Sequence, residues 1–228
     1  GLIHVLTGMP HEIGETITAS PDVRKVSFTG STRVGSLLMR QCADTVKRLS
    51  LELGGNAPLI VFEDADLDIA VKSAMASKFR NAGQTCVCAN RIFVHAKVEE
   101  EFLARLGAQV SALNAAPGFE PGSTIGPLIN QMAVDKVAAH LADALDKGGR
   151  VVAEGQGRAD GQFVRPVIVA GASSDMRLAS EETFGPLAPV FRFESEDEAI
   201  AMANDTPFGL ASYFYTRDLA RAFRVAER

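Results

Sequence analysis

Val23-Arg24-Lys25-Val26-Ser27-Phe28 runs into Thr29-Gly30-Ser31-Thr32, and the chain continues as an apolar stretch from Val34 to Cys42. The first segment alternates as a strand does, the second is built of turn formers, and the third has the spacing of a short helix with Ser31 or Thr32 as its cap. Strand, turn and helix then recur outward from it. Val46 to Leu53 reads as a strand that stops at Gly54-Gly55, and Pro58 to Phe62 reads as another. Asp66 is placed to cap a helix reaching about Arg80, with Leu67, Ala70, Val71, Ala74 and Met75 on one face. Asn81 to Thr85 breaks that pattern, Arg91 to Val94 resumes as strand, and a helix is expected from Val98 to about Leu113. Pro117 to Pro127 reads as a surface loop. Gln131 to Lys147 is helical up to the Gly148-Gly149 cap. Short strands are expected near Val151, over Pro166 to Val169 and over Ala188 to Phe193. Glu196 to Asn204 reads as helix, Ala211 to Tyr215 as strand, and Leu219 onward as helix; Gly1 to Leu6 also reads as strand. This alternation is the signature of an α/β protein.

The 228 residues are 46% hydrophobic and 22% charged, ordinary globular composition for one large or two smaller domains. The net charge of −5 is spread along the chain without a Lys/Arg-rich block, which argues against a nucleic-acid partner. No apolar run approaches the roughly 20 residues of a membrane-spanning helix. Three cysteines, Cys42, Cys86 and Cys88, are too few for a disulfide-stapled scaffold and fit a reducing, cytoplasmic setting. A Cys-x-Cys pair without further Cys or His ligands is a poor zinc site, so no metal is expected. Cys42, on an apolar helical stretch, reads as a small buried hydrophobe.

Four segments carry chemistry. Phe28-Thr29-Gly30-Ser31-Thr32 places free N–H groups and a helix N-terminus where an anion can approach, although most such turns merely cap a helix. Glu52-Leu53-Gly54-Gly55 sets a carboxylate at a strand end before two glycines, a position either functional or simply solvated. Gly83-Gln84-Thr85-Cys86-Val87-Cys88 sets a thiol in an irregular segment between helix and strand, where neighbouring N–H groups can favour the thiolate. Glu181-Glu182-Thr183-Phe184-Gly185-Pro186 joins carboxylates to an aromatic ring, suited either to ribose hydroxyls and a cofactor ring or to a charged loop anchored by Phe184. His11 and His140 read as helix-surface residues and His95 as a strand-end residue, so no Ser-His-Asp arrangement can be built.

In order and separation these four segments resemble the aldehyde dehydrogenase superfamily, over essentially the whole chain. The resemblance implies an α/β fold in which residues 1–54 are the second half of a Rossmann-like nucleotide-binding domain and residues 55–228 an α/β catalytic domain, incomplete at its C-terminal end. It implies Cys86 as nucleophile and Glu52 as general base. It further implies NAD or NADP as cofactor, with Gly30, Ser31, Leu53, Glu182 and Phe184 in its binding. Lys78 to Arg91, with Ser123 to Ile129 and Glu181 to Pro189, is most similar to succinate-semialdehyde dehydrogenase. In that subfamily an arginine at the position of Arg80 contacts the substrate carboxylate, and a cysteine at the position of Cys88 can pair with the nucleophile.

A complete family member begins well before Gly1 and extends past Arg228. The implied full-length protein is a homo-oligomer acting on a small semialdehyde, succinate semialdehyde or a relative such as glutarate semialdehyde, with no membrane or nucleic-acid partner. The piece alone, lacking an oxyanion donor and part of the cofactor site, is expected to be inactive. Two rival readings are an acylating enzyme using coenzyme A, which a water-activating Glu52 opposes, and a non-catalytic nucleotide-binding module.

Overall fold

The computed structural model describes all 228 residues, which form two compact units, Gly1–Gly54 and Gly55–Arg228. The first unit contains α1 (Pro10–Ala19), β1 (Lys25–Thr29), α2 (Thr32–Ala43) and β2 (Arg48–Glu52). β1 and β2 pair in parallel, with Thr29 opposite Glu52 at their carboxyl ends. Ser31 caps α2 by accepting from the Val34 N–H, and Cys42 is buried on the inner face of that helix, both as the sequence reads. Lys47 is buried as well; its Nζ donates to the carbonyls of Ser20 (2.6 Å) and Val23 (2.9 Å), tying the α1–β1 connection to the start of β2. Gly1 to Leu6, expected as strand, lies outside any helix or strand and is exposed. A strand needs a hydrogen-bonding neighbour, and β1 and β2 pair only with each other.

The second unit is built on a six-stranded sheet. In chain order it runs β3 (Ala57–Val61), α3 (Leu67–Lys78), β4 (Ala89–His95), α4 (Glu99–Ser111), β5 (Asn114–Ala115), α5 (Gln131–Asp146), β6 (Arg150–Glu154), β7 (Gln156–Gly157), β8 (Val167–Ala170), α6 (Arg177–Ser180), β9 (Leu187–Phe193), α7 (Glu196–Asn204), β10 (Tyr213–Tyr215) and α8 (Leu219–Ala226). The strand order is β10-β3-β4-β9-β8-β6, parallel throughout except for β6, which runs antiparallel to β8. β5 and β7 form a separate two-residue pairing. Every residue of β3, β4 and β8 is buried, as expected of parallel strands covered on both faces. Ala70, Val71 and Ala74 of α3 are buried against this core, and Asp66 caps the helix through the Asp68 and Ile69 N–H groups. No helix is long and apolar enough to cross a membrane.

Two charged side chains, Lys78 and Arg91, are sunk into this core. Arg91, in β4, is 2% exposed. Its Nε donates to the Asn56 carbonyl (3.0 Å), Nη1 to Met202 O (2.8 Å) and Nη2 to Ala203 O (2.8 Å). The guanidinium therefore satisfies the last carbonyls of α7, which the helix itself leaves open, and fixes the segment that leads into β3. Burial pushes its pKa down to about 10, offset in part by Asp205, so it stays charged at neutral pH. Arg91→Ala should cost at least about 2 kcal/mol, since it leaves two buried carbonyls, of Asn56 and Ala203, open at roughly 1–3 kcal/mol each. The shift in the urea midpoint at pH 7 reads this out, and a loss below about 1 kcal/mol contradicts it.

Candidate active site

In the first unit, two of the motifs meet at the carboxyl ends of the parallel pair. The Gly30 N–H donates to the Glu52 carbonyl at 2.9 Å. The Glu52 side chain is exposed, and Leu53 packs back against Gly35 of α2. Gly30, Ser31, Glu52 and Leu53 thus share one end of the strand pair, beside the N-terminus of α2.

In the second unit the nucleophile candidate sits on the segment joining α3 to β4. That segment opens with a short 3-10 turn, Arg80–Gly83, in which Asn81 (φ 51°), Ala82 (φ 54°) and Gly83 (φ 73°) are all left-handed. An alanine pays for that conformation, so the surroundings must hold it. Asn81 and Gln84 brace the turn, Asn81 Nδ2 donating to Gln84 O (3.1 Å) and Gln84 Nε2 to Asn81 O (3.1 Å). Gln84 also reaches the next loop, accepting from the Ile129 N–H at 2.9 Å. At the base, Ser77 Oγ accepts from Ala89 N–H (3.0 Å) and Lys78 Nζ donates to Asn90 Oδ1 (2.8 Å).

The half-buried Cys86 is positioned through its main chain. Gly55 lies so close that a Cβ there would stand 2.1 Å from the Cys86 carbonyl oxygen. Tyr213 Oη donates to the Val87 carbonyl at 2.7 Å. Thr85, just before the thiol, has a buried hydroxyl with no hydrogen-bond partner. Cys88 is buried, its thiol donating to Gly83 O (3.4 Å) with Lys78 Nζ 3.9 Å away. All three cysteines are free thiols. Burial pushes the Lys78 amine down, and the nearby Cys88 and Glu182 oppose that.

Glu182 belongs to the same cluster. Its Oε1 accepts from the Gly55 N–H at 3.0 Å, so one residue touches both the Cys86 carbonyl and this carboxylate. Burial raises the Glu182 carboxyl, against the Gly55 N–H, Lys136 and Lys78. Phe184 is half-buried and left-handed (φ 54°) and lines an open cavity of about 500 Å³ with Asn81, Gln84, Pro127 and Ile129. Arg80 stands exposed at the start of the 3-10 turn and makes no ion pair.

The donor and acceptor chemistry fits a dinucleotide in each unit taken separately. In the first, Ser31 and the first turn of α2 present N–H groups of the kind that bind phosphate. In the second, Glu182 keeps Oε2 free of any protein donor, an acceptor suited to ribose hydroxyls.

Several supporting residues escape a reading of the sequence. His140, expected on the helix surface, is fully buried, bonded through Nδ1 to Thr183 Oγ1 and through Nε2 to Glu181 Oε2, both at 3.1 Å. The signal lay in its spacing, since Val137 and Ala144, three before and four after it, are buried on the same face. Lys78 and Tyr213 carried no such signal. Their roles arise from contacts across the sheet.

The second unit thus carries a half-buried cysteine on a braced loop, joined through Gly55 to a carboxylate with a free oxygen. The aldehyde dehydrogenase family model matches residues 1–228, and the chain belongs to that family. It is 57% identical over its whole length to a 3-sulfolactaldehyde dehydrogenase of Pseudomonas putida, covering 47% of that protein. It is 56% identical to an NADP(+) succinate-semialdehyde dehydrogenase of Escherichia coli, again over the whole chain and 47% of the relative. A crystal structure of succinate-semialdehyde dehydrogenase from Burkholderia pseudomallei superposes with a TM-score of 0.95 at 58% identity, over 97% of this chain and 46% of that one. The chain thus spans about half the length of the relatives it matches.

Gly55→Ala tests the bracing in the full-length enzyme. The added methyl must push the Cys86 carbonyl away, and a displacement on the order of 1 Å at reacting groups can cost about a hundredfold in rate. Turnover should fall by at least about tenfold while urea stability changes far less. Normal turnover would show that the close approach is incidental.

Proposed function

We propose that the full-length protein oxidises a short aldehyde bearing an acid group at its far end, most closely succinate semialdehyde, to the carboxylic acid. In this reading residues 1–54 are the second half of the nucleotide-binding domain and residues 55–228 belong to the catalytic domain. The observation that carries it is the Gly55 junction, where the backbone of Cys86 and the Glu182 carboxylate meet on one residue. Such a junction supports a reading in which the segment carrying the thiol and an acceptor for the cofactor's ribose belong to one site.

The Cys86 thiolate attacks the aldehyde carbon and forms a thiohemiacetal. When bound, NAD or NADP supplies the hydride acceptor that carries this adduct to the thioester. Gly30, Ser31 and Leu53 line the phosphate end, and Glu182 and Phe184 hold the ribose and ring of the nicotinamide half. Glu52 then takes a proton from the water that hydrolyses the thioester and frees Cys86. Cys88 is the candidate redox partner of Cys86, two residues from it along the chain.

The substrate reading rests on two supports. The relatives named above act on 3-sulfolactaldehyde and on succinate semialdehyde, both short aldehydes with an acidic group at the far end. Arg80 offers a guanidinium free of ion pairs six residues before the thiol, able to pair with a carboxylate.

Two experiments on the full-length enzyme test the reading. Glu52→Gln should leave acylation intact and slow hydrolysis, giving a rapid burst of reduced cofactor and then a slow phase, while Cys86→Ala abolishes both. Unchanged steady-state turnover in Glu52→Gln removes the general-base role. Arg80→Ala should lower kcat/KM for succinate semialdehyde by at least about tenfold, in line with the 1.5–3 kcal/mol of a charged hydrogen bond, and barely affect an uncharged aldehyde of similar length. Equal losses on both substrates would make Arg80 structural.

A further inference from the structure

The chemistry above leaves unused one face of α5 that grips the segment Glu181–Gly185. Lys136 Nζ donates to the Glu182 carbonyl. Val137 packs on Gly185. His140, 0% exposed, bonds Thr183 Oγ1 on one nitrogen and Glu181 Oε2 on the other. Three side chains of one helix therefore hold the main chain on both sides of Glu182. Of these, only the imidazole changes charge near neutral pH.

We propose that His140 is a positioning residue which, while neutral, holds the Glu182 segment in place for the dinucleotide and, on protonation, releases it, so that dinucleotide affinity falls in mild acid. This rests on the reading of Glu182 as a ribose ligand.

The neutral ring satisfies both partners, donating from Nε2 to Glu181 and accepting the Thr183 hydroxyl proton at Nδ1. The charged groups facing it are Glu181 from the gripped segment, Lys136 from its own helix and Arg177 from α6. One carboxylate is set against two cations. That carboxylate is moreover shared, because Arg177 holds Glu181 through Nε (3.0 Å) and Nη2 (3.1 Å). A proton on the buried His140 ring adds a third cation there and forces the Thr183 hydroxyl to turn. Burial holds the imidazole below its ordinary value; Glu181 pulls it up in part, while Lys136 and Arg177 push it down again.

The sign follows from linkage. The gripped arrangement binds the proton less readily than the released one, in which the histidine returns to about 6.5. Its stability is therefore full above about pH 6.5 and is lost as pH falls below that value. Because Lys136 is bonded to the Glu182 carbonyl, movement of Glu181 and Thr183 is transmitted to the carboxylate between them.

The test uses the full-length enzyme and two readouts. The first, which needs no cofactor, is amide hydrogen exchange of residues 181–185 at about pH 8 and about pH 5.5, corrected for the intrinsic pH effect. Exchange should quicken in acid in the wild type and not in His140→Gln, whose amide donates to Glu181 and accepts from Thr183 but cannot titrate. Thr183→Val, a second variant should the first fold poorly, removes the proton donor to Nδ1 and should shift the opening to higher pH. The second readout is the Kd of oxidised dinucleotide. It should weaken by at least about fivefold from pH 8 to 5.5 in the wild type, within the tenfold per pH unit that one proton allows, and by less than about twofold in His140→Gln.

An acid response shared by wild type and His140→Gln, or absent from the wild type, overturns the proposal. If exchange behaves as expected but Kd stays flat and Glu182→Ala binds dinucleotide normally, the ribose reading is what fails, and the affinity claim falls with it.

Discussion

The bare α-carbon of Gly55 is the constraint around which the second unit's site is arranged. Any larger residue would collide with the Cys86 carbonyl, and the Gly55 N–H is bonded to Glu182. Three segments far apart in the chain, at Gly55, at Gly83 to Cys88 and at Glu181 to Gly185, come into register on that one backbone unit. Gly83 repeats the device. Its left-handed φ and its close approach to the Gly185 carbonyl leave no room for a side chain, so the Cys86 segment and the Glu182 segment touch backbone to backbone. Main-chain contacts of this kind place groups more tightly than long side chains do, because they have no rotamers to lose.

The left-handed turn before Cys86 shows what such placement demands. Asn81 and Ala82 adopt a conformation that is unfavourable for residues with a Cβ, and the local hydrogen bonds of Asn81 and Gln84 offset only part of it. The rest is supplied by the closed base of the loop, where Ser77 and Lys78 of α3 bond to the start of β4. Both ends of the loop belong to the buried part of the sheet and helix, which restrains it. Strained backbone of this kind is common where geometry must be fixed.

How much of this was legible in the sequence depends on whether a signal was local. The caps at Ser31 and Asp66, the buried runs of β3 and β4, and the helix Glu196–Asn204 rest on neighbours within a few residues, and each stands where the pattern put it. α1 was read only through His11, an exposed helix residue, and the short α6 and the two-residue strands β5 and β7 went unread, since they depend on tertiary contacts more than on pattern. Gly1 to Leu6 has a strand's pattern without a strand's partner, and pattern alone cannot supply one. Among the candidate site residues, Cys86, Cys88 and Glu182 do gather in the second unit; of the agents that gather them, Gly55 closes a motif read as an ordinary glycine turn, while Lys78, Tyr213 and His140 have roles that no motif assigns. His140 was misjudged because a polar residue on an apolar helix face invites the assumption that it points outward, whereas here two polar partners make its burial tolerable.

The surroundings of Glu182 follow from competing electrostatic demands. In the proposed role as an acceptor of hydroxyl protons the carboxylate is best ionised, yet burial acts to protonate it. The fold opposes this with the Gly55 N–H and with two lysines, Lys78 from the end of α3 and Lys136 from α5. Neither lysine forms an ion pair with Glu182; Lys136 is bonded to its carbonyl and Lys78 to Asn90. That separation matters. A direct ion pair would occupy the oxygen left open for a ligand, whereas a cation held a few ångströms off favours the charge and leaves Oε2 vacant. The buried Lys78, a poor bargain for stability taken alone, is intelligible as part of this arrangement, because its charge is placed by the same α3–β4 closure that shapes the nucleophile loop.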